Sequence, residues 1–224
     1  GSNWAPAATG PLAPGQAFGS RYHVIRLLGM GGMGAVYQAW DDELGVAVAI
    51  KVVRPEVTAD PLVGAQLERL FKRELLLARE VTHKNVVRIH DLGEIDGIKY
   101  ITMPYVQGRD LATILRTSGK LQVPAALRIV KEVAAGLQAA HEAGVIHRDL
   151  KPANIMVDED QHACIMDFGI ARSAAGGGGT MLGAVVGTVD YMAPEQARGE
   201  TADHRADIYA FGLILYDLLG GRRA

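Results

Sequence analysis

Residues 29–34 read Gly-Met-Gly-Gly-Met-Gly and stand between two strand-like runs, Tyr22–Leu28 and Ala35–Trp40. Glycines at 29, 31 and 34 leave the backbone with no Cβ in the way, so the loop can come close to another group. The segment after the loop narrows the fold further. A G-x-G-x-x-G loop that holds a dinucleotide runs from a strand straight into a helix. Here Ala35-Val36-Tyr37-Gln38-Ala39-Trp40 continues as a strand, Asp41-Asp42-Glu43-Leu44-Gly45 has turn chemistry, and Val46–Val53 is a third, β-branched strand. The pattern predicts an antiparallel meander.

Helical spacing takes over further along. Leu67, Leu70, Phe71, Leu75 and Ala78 form one stripe within Leu62–Val81. Strands are expected at Val86–Leu92 and Lys99–Met103. Pro124–Ala143 is the clearest helix, with Ile129, Val130, Val133, Leu137 and Ala140 on one face, Pro124 at its start and Gly144 past its end. A further apolar helix runs from Asp207 to Leu219. The whole is α+β: a mostly β amino-terminal lobe, then a mostly helical one. Residues 1–20 carry no charged side chain and are dominated by Ala, Gly and Pro. They read as a disordered tail or linker.

Composition excludes several classes. The 224 residues are 49% apolar and 21% charged, an ordinary soluble mix, with 23 basic against 25 acidic side chains and no basic block. That balance disfavours nucleic acid or an anionic membrane surface as partner. Cys164 is the single cysteine, so neither a disulfide framework nor a multi-cysteine zinc site can form; it is expected to be a small buried residue on a strand. A reducing, cytoplasmic setting fits. The run Ile208–Leu219 is too short to span a bilayer and is broken by Asp217.

Chemistry-bearing residues recur in order. Val48-Ala49-Ile50-Lys51 ends an apolar strand on a cation that needs a partner. Glu74 is best placed for that role, with Glu68 and Glu80 as competitors. Beyond them stand His147-Arg148-Asp149-Leu150-Lys151-Pro152-Ala153-Asn154 and then Asp167-Phe168-Gly169. Two acids and an amide oxygen are a hard-ligand set suited to magnesium shared with phosphates. Ala193-Pro194-Glu195 closes the segment that begins at Asp167.

Taken together, the glycine loop, Val-Ala-Ile-Lys, His-Arg-Asp-Leu-x-x-x-Asn, Asp-Phe-Gly and Ala-Pro-Glu resemble the eukaryotic-type protein kinase family, and in texture its bacterial serine/threonine members. The resemblance implies a bilobal fold, with an amino-terminal lobe at 21–103, a hinge at 104–108 and a carboxy-terminal lobe from 109 to 224. It implies ATP contacts from Gly29, Gly31, Gly34, Val36, Ala49, Lys51, Glu74, Met103, Pro104 and Val106, with Met103 as gatekeeper. The hinge departs from the family in carrying Pro104 where an acid is usual; proline removes only an amide hydrogen. Asp149 would orient the substrate hydroxyl and accept its proton, Lys51 would hold the α- and β-phosphates and pair with Glu74, Lys151 would neutralise charge on the transferring phosphoryl, and Asn154 and Asp167 would hold Mg2+. His147 and Phe168 would be packing residues, Thr188 a fixed contact near Asp149, and Asp207 a brace for the catalytic loop.

Arg148 before Asp149 implies regulation through the activation segment, with Thr180, and after it Ser173, as the candidate for the phosphorylated residue that pairs with Arg148. The expected substrates are serine and threonine residues of proteins. The competing readings are a nucleotide-binding or scaffold form without turnover, and a kinase for small molecules. All five of Lys51, Glu74, Asp149, Asn154 and Asp167 are present, which argues against the former; Lys151 and Ala-Pro-Glu argue against the latter. Kinase domains of this family continue past the position of Ala224, so the carboxy-terminal lobe is expected to lack its last helices. Glu195 is then expected to be a buried carboxylate without its arginine, with a second copy or another partner covering the gap.

Overall fold

Strand alternation builds the first unit. The computed structural model describes residues 10–31, 34–53, 75–168 and 189–221. These residues divide into two compact units, Gly1–Ala65 with Ile89–Tyr105, and Gln66–Arg88 with Val106–Ala224. The first holds a six-stranded antiparallel sheet in the order β1-β2-β3-β4-β6-β5. Its strands are β1 (Ala17–Phe18), β2 (Tyr22–Gly31), β3 (Gly34–Asp41), β4 (Val46–Val53), β5 (Asp91–Ile95) and β6 (Ile98–Pro104). The expected meander is β2-β3-β4. Successive β4 side chains take opposite faces. Val48, Ile50 and Val52 therefore meet Ala39, Tyr37 and Ala35 across the pair and enter one core, leaving Ala49 and Lys51 on the other face.

The second half of the expected tail is not a tail. Leu12 and Phe18 are buried in that core, β1 pairs with the start of β2, and the Leu12 amide donates to Tyr37 Oη at 3.1 Å. Phe18 and Tyr22 both meet the Tyr100 ring edge-on, at 5.2 and 5.8 Å. The physical reason is the apolar face of β2, β3 and β4, which must be covered. A segment without charges can lie on that face at little desolvation cost.

A second difference concerns Val86–Leu92, expected to be a strand. The strand is Asp91–Ile95, joined to β6 through Asp96 and Gly97, both at positive φ (51° and 76°). This is the two-residue Asp-Gly hairpin turn, which fixes the register. Val86 instead bridges Ile165 and is buried in the other unit's core.

The second unit is mainly helical. It contains the helical residues 75–80 (α1), β7 (Gly108–Asp110), α2 (Leu111–Ser118), α3 (Val123–Glu142), β8 (Ile155–Asp158), β9 (Ala163–Ile165), α4 (Pro194–Ala197) and α5 (Arg205–Gly220). Strands β7, β8 and β9 form a small antiparallel sheet. Helix α3 agrees with the reading over Pro124–Ala143: proline lies in its first turn and Gly144, past its end, stands at φ +74°. Its Ile129, Val133, Leu137 and Ala140 pack with Ile155, Ile165, Ile214 and Leu218. Helix α2 was not anticipated. Its start is set by Asp110, whose carboxylate accepts from the Thr113 amide at 2.8 Å and caps the first turn. Val81 and Val86 belong to this same core, so residues 75–88, assigned by sequence to the amino-terminal lobe, sit with the second unit. Among the described residues no helix is long and apolar enough to cross a membrane.

Candidate active site

The second unit brings the His147–Asn154 loop, the end of β9 and the start of α5 together. Asp207 opens α5 almost fully buried, and its carboxylate is met by three donors. The His147 amide donates to Oδ2 and the Arg148 amide to Oδ1, both at 2.8 Å, while His141 Nε2 lies 2.7 Å from Oδ2. Arg148 and Asp167 both adopt the left-handed region, φ 62° and 52°. A non-glycine residue there costs on the order of 1–3 kcal/mol and persists only where its surroundings over-determine it. The Asp207 clamp is one such constraint on Arg148. Gln196 is another, donating from Nε2 to the Arg148 carbonyl at 2.8 Å.

His147 is fully buried between these pieces. The Asp149 amide donates to Nδ1 (3.3 Å), so Nδ1 is the acceptor and the proton sits on Nε2, which donates to the Met166 carbonyl at 2.9 Å. Burial pushes the imidazole below its ordinary range and keeps it neutral. Its ring lies 4.9 Å from that of Phe168, itself buried.

Around Asp149 the polar groups converge. Lys151 Nζ is 2.9 Å from Asp149 Oδ2. Asn154 Nδ2 donates to the Asp149 carbonyl at 2.8 Å, with a longer 3.5 Å contact to Oδ2. The Met166 amide donates to the Asn154 carbonyl at 2.8 Å, which sets Asp167 one residue beyond the junction. Among the described residues no three His, Cys, Asp or Glu side chains cluster as a metal cage. Magnesium is commonly held by one or two carboxylates and completed by waters and phosphate oxygens rather than by an all-protein cage. The oxygen donors Asp167 and Asn154, beside Asp149 and a lysine, fit that mode.

In the first unit the register aligns the other candidates. Val36, Lys51 and Ile101 are cross-strand neighbours, as are Gln38, Ala49 and Met103. Val36, Ala49, Lys51 and Met103 therefore share one sheet face, opposite the Tyr37–Ile50 core. Gly29 faces Val36, Gly31 faces Gly34, and a Cβ added at Gly29 would meet nothing within 4 Å. Pro104 forms the last β6 pair, with Val48, and Val106 begins the second unit's part of the chain. Glu74, Thr180 and Thr188 lie outside the described residues, and with Glu74 the expected partner of Lys51.

Two expectations are corrected. Glu195 is not a buried carboxylate: it is partly exposed on α4. Cys164 is half-exposed rather than buried, its thiol 3.5 Å from the Lys84 carbonyl, and partial burial raises its pKa. Sequence reasoning also missed His141, Gln196 and Arg26. The last donates from Nε to Gln38 and from Nη2 to Tyr105 Oη, at 2.8 and 2.9 Å. Arg26 and Gln38 are paired across β2 and β3, which strand alternation could have revealed. Gln196 ends the run Met192-Ala193-Pro194-Glu195-Gln196, yet nothing in one sequence marks its contact with Arg148.

The protein kinase domain family matches residues 22–224. The chain is 42% identical over 207 residues to serine/threonine-protein kinase PknH of Mycobacterium bovis, covering 92% of this chain and 34% of that protein. It is 44% identical to serine/threonine-protein kinase PknE of Mycobacterium tuberculosis, over 92% of this chain and 36% of the relative. For serine/threonine-protein kinase PknD of the same species the figures are 42%, 92% and 30%. The chain thus spans about a third of the length of the curated relatives it matches.

Proposed function

Because the chain belongs to the protein kinase domain family, we propose that it transfers the terminal phosphoryl group of ATP to serine and threonine hydroxyls of proteins. The observation that carries this reading is the convergence of Lys151 and Asn154 on Asp149, with Asp167 next to Met166, whose amide the Asn154 carbonyl accepts just past β9. In this reading the Asp149 carboxylate orients the substrate hydroxyl and takes its proton. Lys151, held against it, offsets charge on the transferring group. Asn154 and Asp167 hold Mg2+, which when bound neutralises the phosphate oxygens. The sheet face of Val36, Ala49 and Met103 receives the adenine, with the hinge carbonyl of Pro104 and amide of Val106 reading its edge, and Lys51 binds the phosphates. Phosphoryl transfer asks for positioning and charge neutralisation more than for covalent chemistry.

The same reading includes autophosphorylation of Thr180, whose phosphate pairs with Arg148, and use of ATP in the cytoplasm. Transfer of radiolabelled phosphate from ATP to a generic serine/threonine protein substrate tests it. Asp149→Asn is expected to lower the rate by about 10²-fold or more, and mass spectrometry is expected to place phosphate on Thr180 of the parent alone. Equal transfer by parent and variant, or none by the parent, overturns the reading.

A further inference from the structure

Arg148 contributes its own φ of 62° and the peptide that leads into Asp149. That peptide is gripped at both polar ends. Its carbonyl, on Arg148, accepts from Gln196 Nε2 at 2.8 Å, and its N–H, on Asp149, donates to His147 Nδ1 at 3.3 Å. The Gln196 side chain is itself anchored, since its Oε1 accepts from the Ala193 amide at 3.1 Å. Gln196 is partly buried, and both its amide atoms are engaged, so the side chain has one workable orientation. The contact crosses 48 residues of sequence and joins α4 to the loop that holds Asp149.

We propose that Gln196 is a positioning residue for Asp149. Through the Arg148 carbonyl it fixes the orientation of the Arg148–Asp149 peptide, and with it the direction of the Asp149 carboxylate. The left-handed Arg148 makes this necessary. A residue held outside its preferred region turns back when a restraint is lost, and here the adjoining peptide plane carries the group that must align with the substrate hydroxyl. Asp207 holds the peptide on the amino side of Arg148; on its carboxyl side, among the described residues, the bond from Gln196 is shorter than the one to His147. The inference rests on Asp149 acting as proposed above.

Chemistry separates the two jobs of Gln196. Gln196→Glu keeps an oxygen for the Ala193 amide, so α4 retains that contact. It puts a carboxylate oxygen where the donor stood, facing the Arg148 carbonyl, and the bond is replaced by repulsion. Gln196→Met removes both contacts. Arg198→Ala, on an exposed side chain just past α4, is the control.

Two readouts on the whole chain test the idea. In the phosphotransfer assay Gln196→Glu is expected to lower kcat roughly tenfold while KM for ATP holds, and Arg198→Ala to leave both unchanged. A kcat equal to the parent's, or a rise in KM for ATP that accounts for the loss, overturns the proposal. In NMR spectra of the chain labelled at Arg148 and Asp149, Gln196→Glu is expected to shift the Arg148 carbonyl carbon and the Asp149 amide, and Arg198→Ala neither. Unmoved signals overturn it whether or not the chain transfers phosphate. Loss of the Asp149→Asn effect alone, with those signals moving, instead defeats the functional reading and leaves the coupling in place.

Discussion

His147 donates its Nε2 proton to the Met166 carbonyl across 2.9 Å, so the loop carrying Asp149 is bonded directly to the residue before Asp167. The two acids lie far apart in the sequence, yet their backbones are fixed to one imidazole. This works only for the neutral ring, because the Asp149 amide needs Nδ1 as an acceptor.

That requirement makes the site sensitive to pH. Burial lowers the His147 pKa from its ordinary 6.5. As pH falls below that value, the unfolded chain binds a proton that the folded site refuses. Stability from this group is therefore complete above about pH 6.5 and is lost as pH drops. For one proton the limiting slope is about 1.4 kcal/mol per pH unit. His147→Gln cannot titrate, so urea unfolding between about pH 5 and 7, the range in which a histidine ordinarily changes charge, should give a flatter profile than the parent's. Parallel profiles would contradict the assignment.

Asp207 holds the same loop from the other side. Asp207→Ala strands the amides of His147 and Arg148, and each unsatisfied buried donor costs about 1–3 kcal/mol. The expected loss is about 3 kcal/mol or more in urea unfolding. Asp207→Asn keeps one acceptor oxygen and should lose less. If alanine and asparagine are equally mild, the carboxylate is not holding the loop.

What was legible in the sequence had short range. The strands around Gly29–Gly34 and the helix between Pro124 and Ala143, stopped by Gly144, announce themselves through period and punctuation within about twenty residues. The residues around Asp149 stand in one run. What escaped depends on contacts made at a distance. Leu12 and Phe18 are single apolar residues among Ala, Gly and Pro, with no period to mark them, and only the sheet face of Tyr37 and Ile50 gives them a place. Val86 is apolar because it is buried against the other sheet, not because it belongs to a strand of the first. The better signal there was Asp96-Gly97, a hairpin turn legible by type. Gln196 and Arg148 meet only because α4 packs on the loop, and no spacing encodes that.

Two helical glycines carry the same substitution to opposite outcomes. Alanine exceeds glycine in helix propensity by about 1 kcal/mol, so Gly→Ala stabilises a helix wherever the methyl has room. Gly212 on α5 has that room: an added Cβ meets nothing within 4 Å. Gly136 on α3 does not, because its Cβ would stand 2.8 Å from the Asn85 backbone carbonyl and 3.1 Å from Ile165 Cδ1. The Asn85 carbonyl cannot swing away, since it accepts from the Ile165 amide at 2.8 Å and ties β9 in place. Overpacking of this kind costs about 1–3 kcal/mol, enough to outweigh the propensity gain. Thermal unfolding of the two variants should therefore move in opposite directions, Gly212→Ala upward and Gly136→Ala downward. A rise for Gly136→Ala would mean that α3 and β9 can part without penalty, and the close approach of helix to sheet would then not be what selects glycine there.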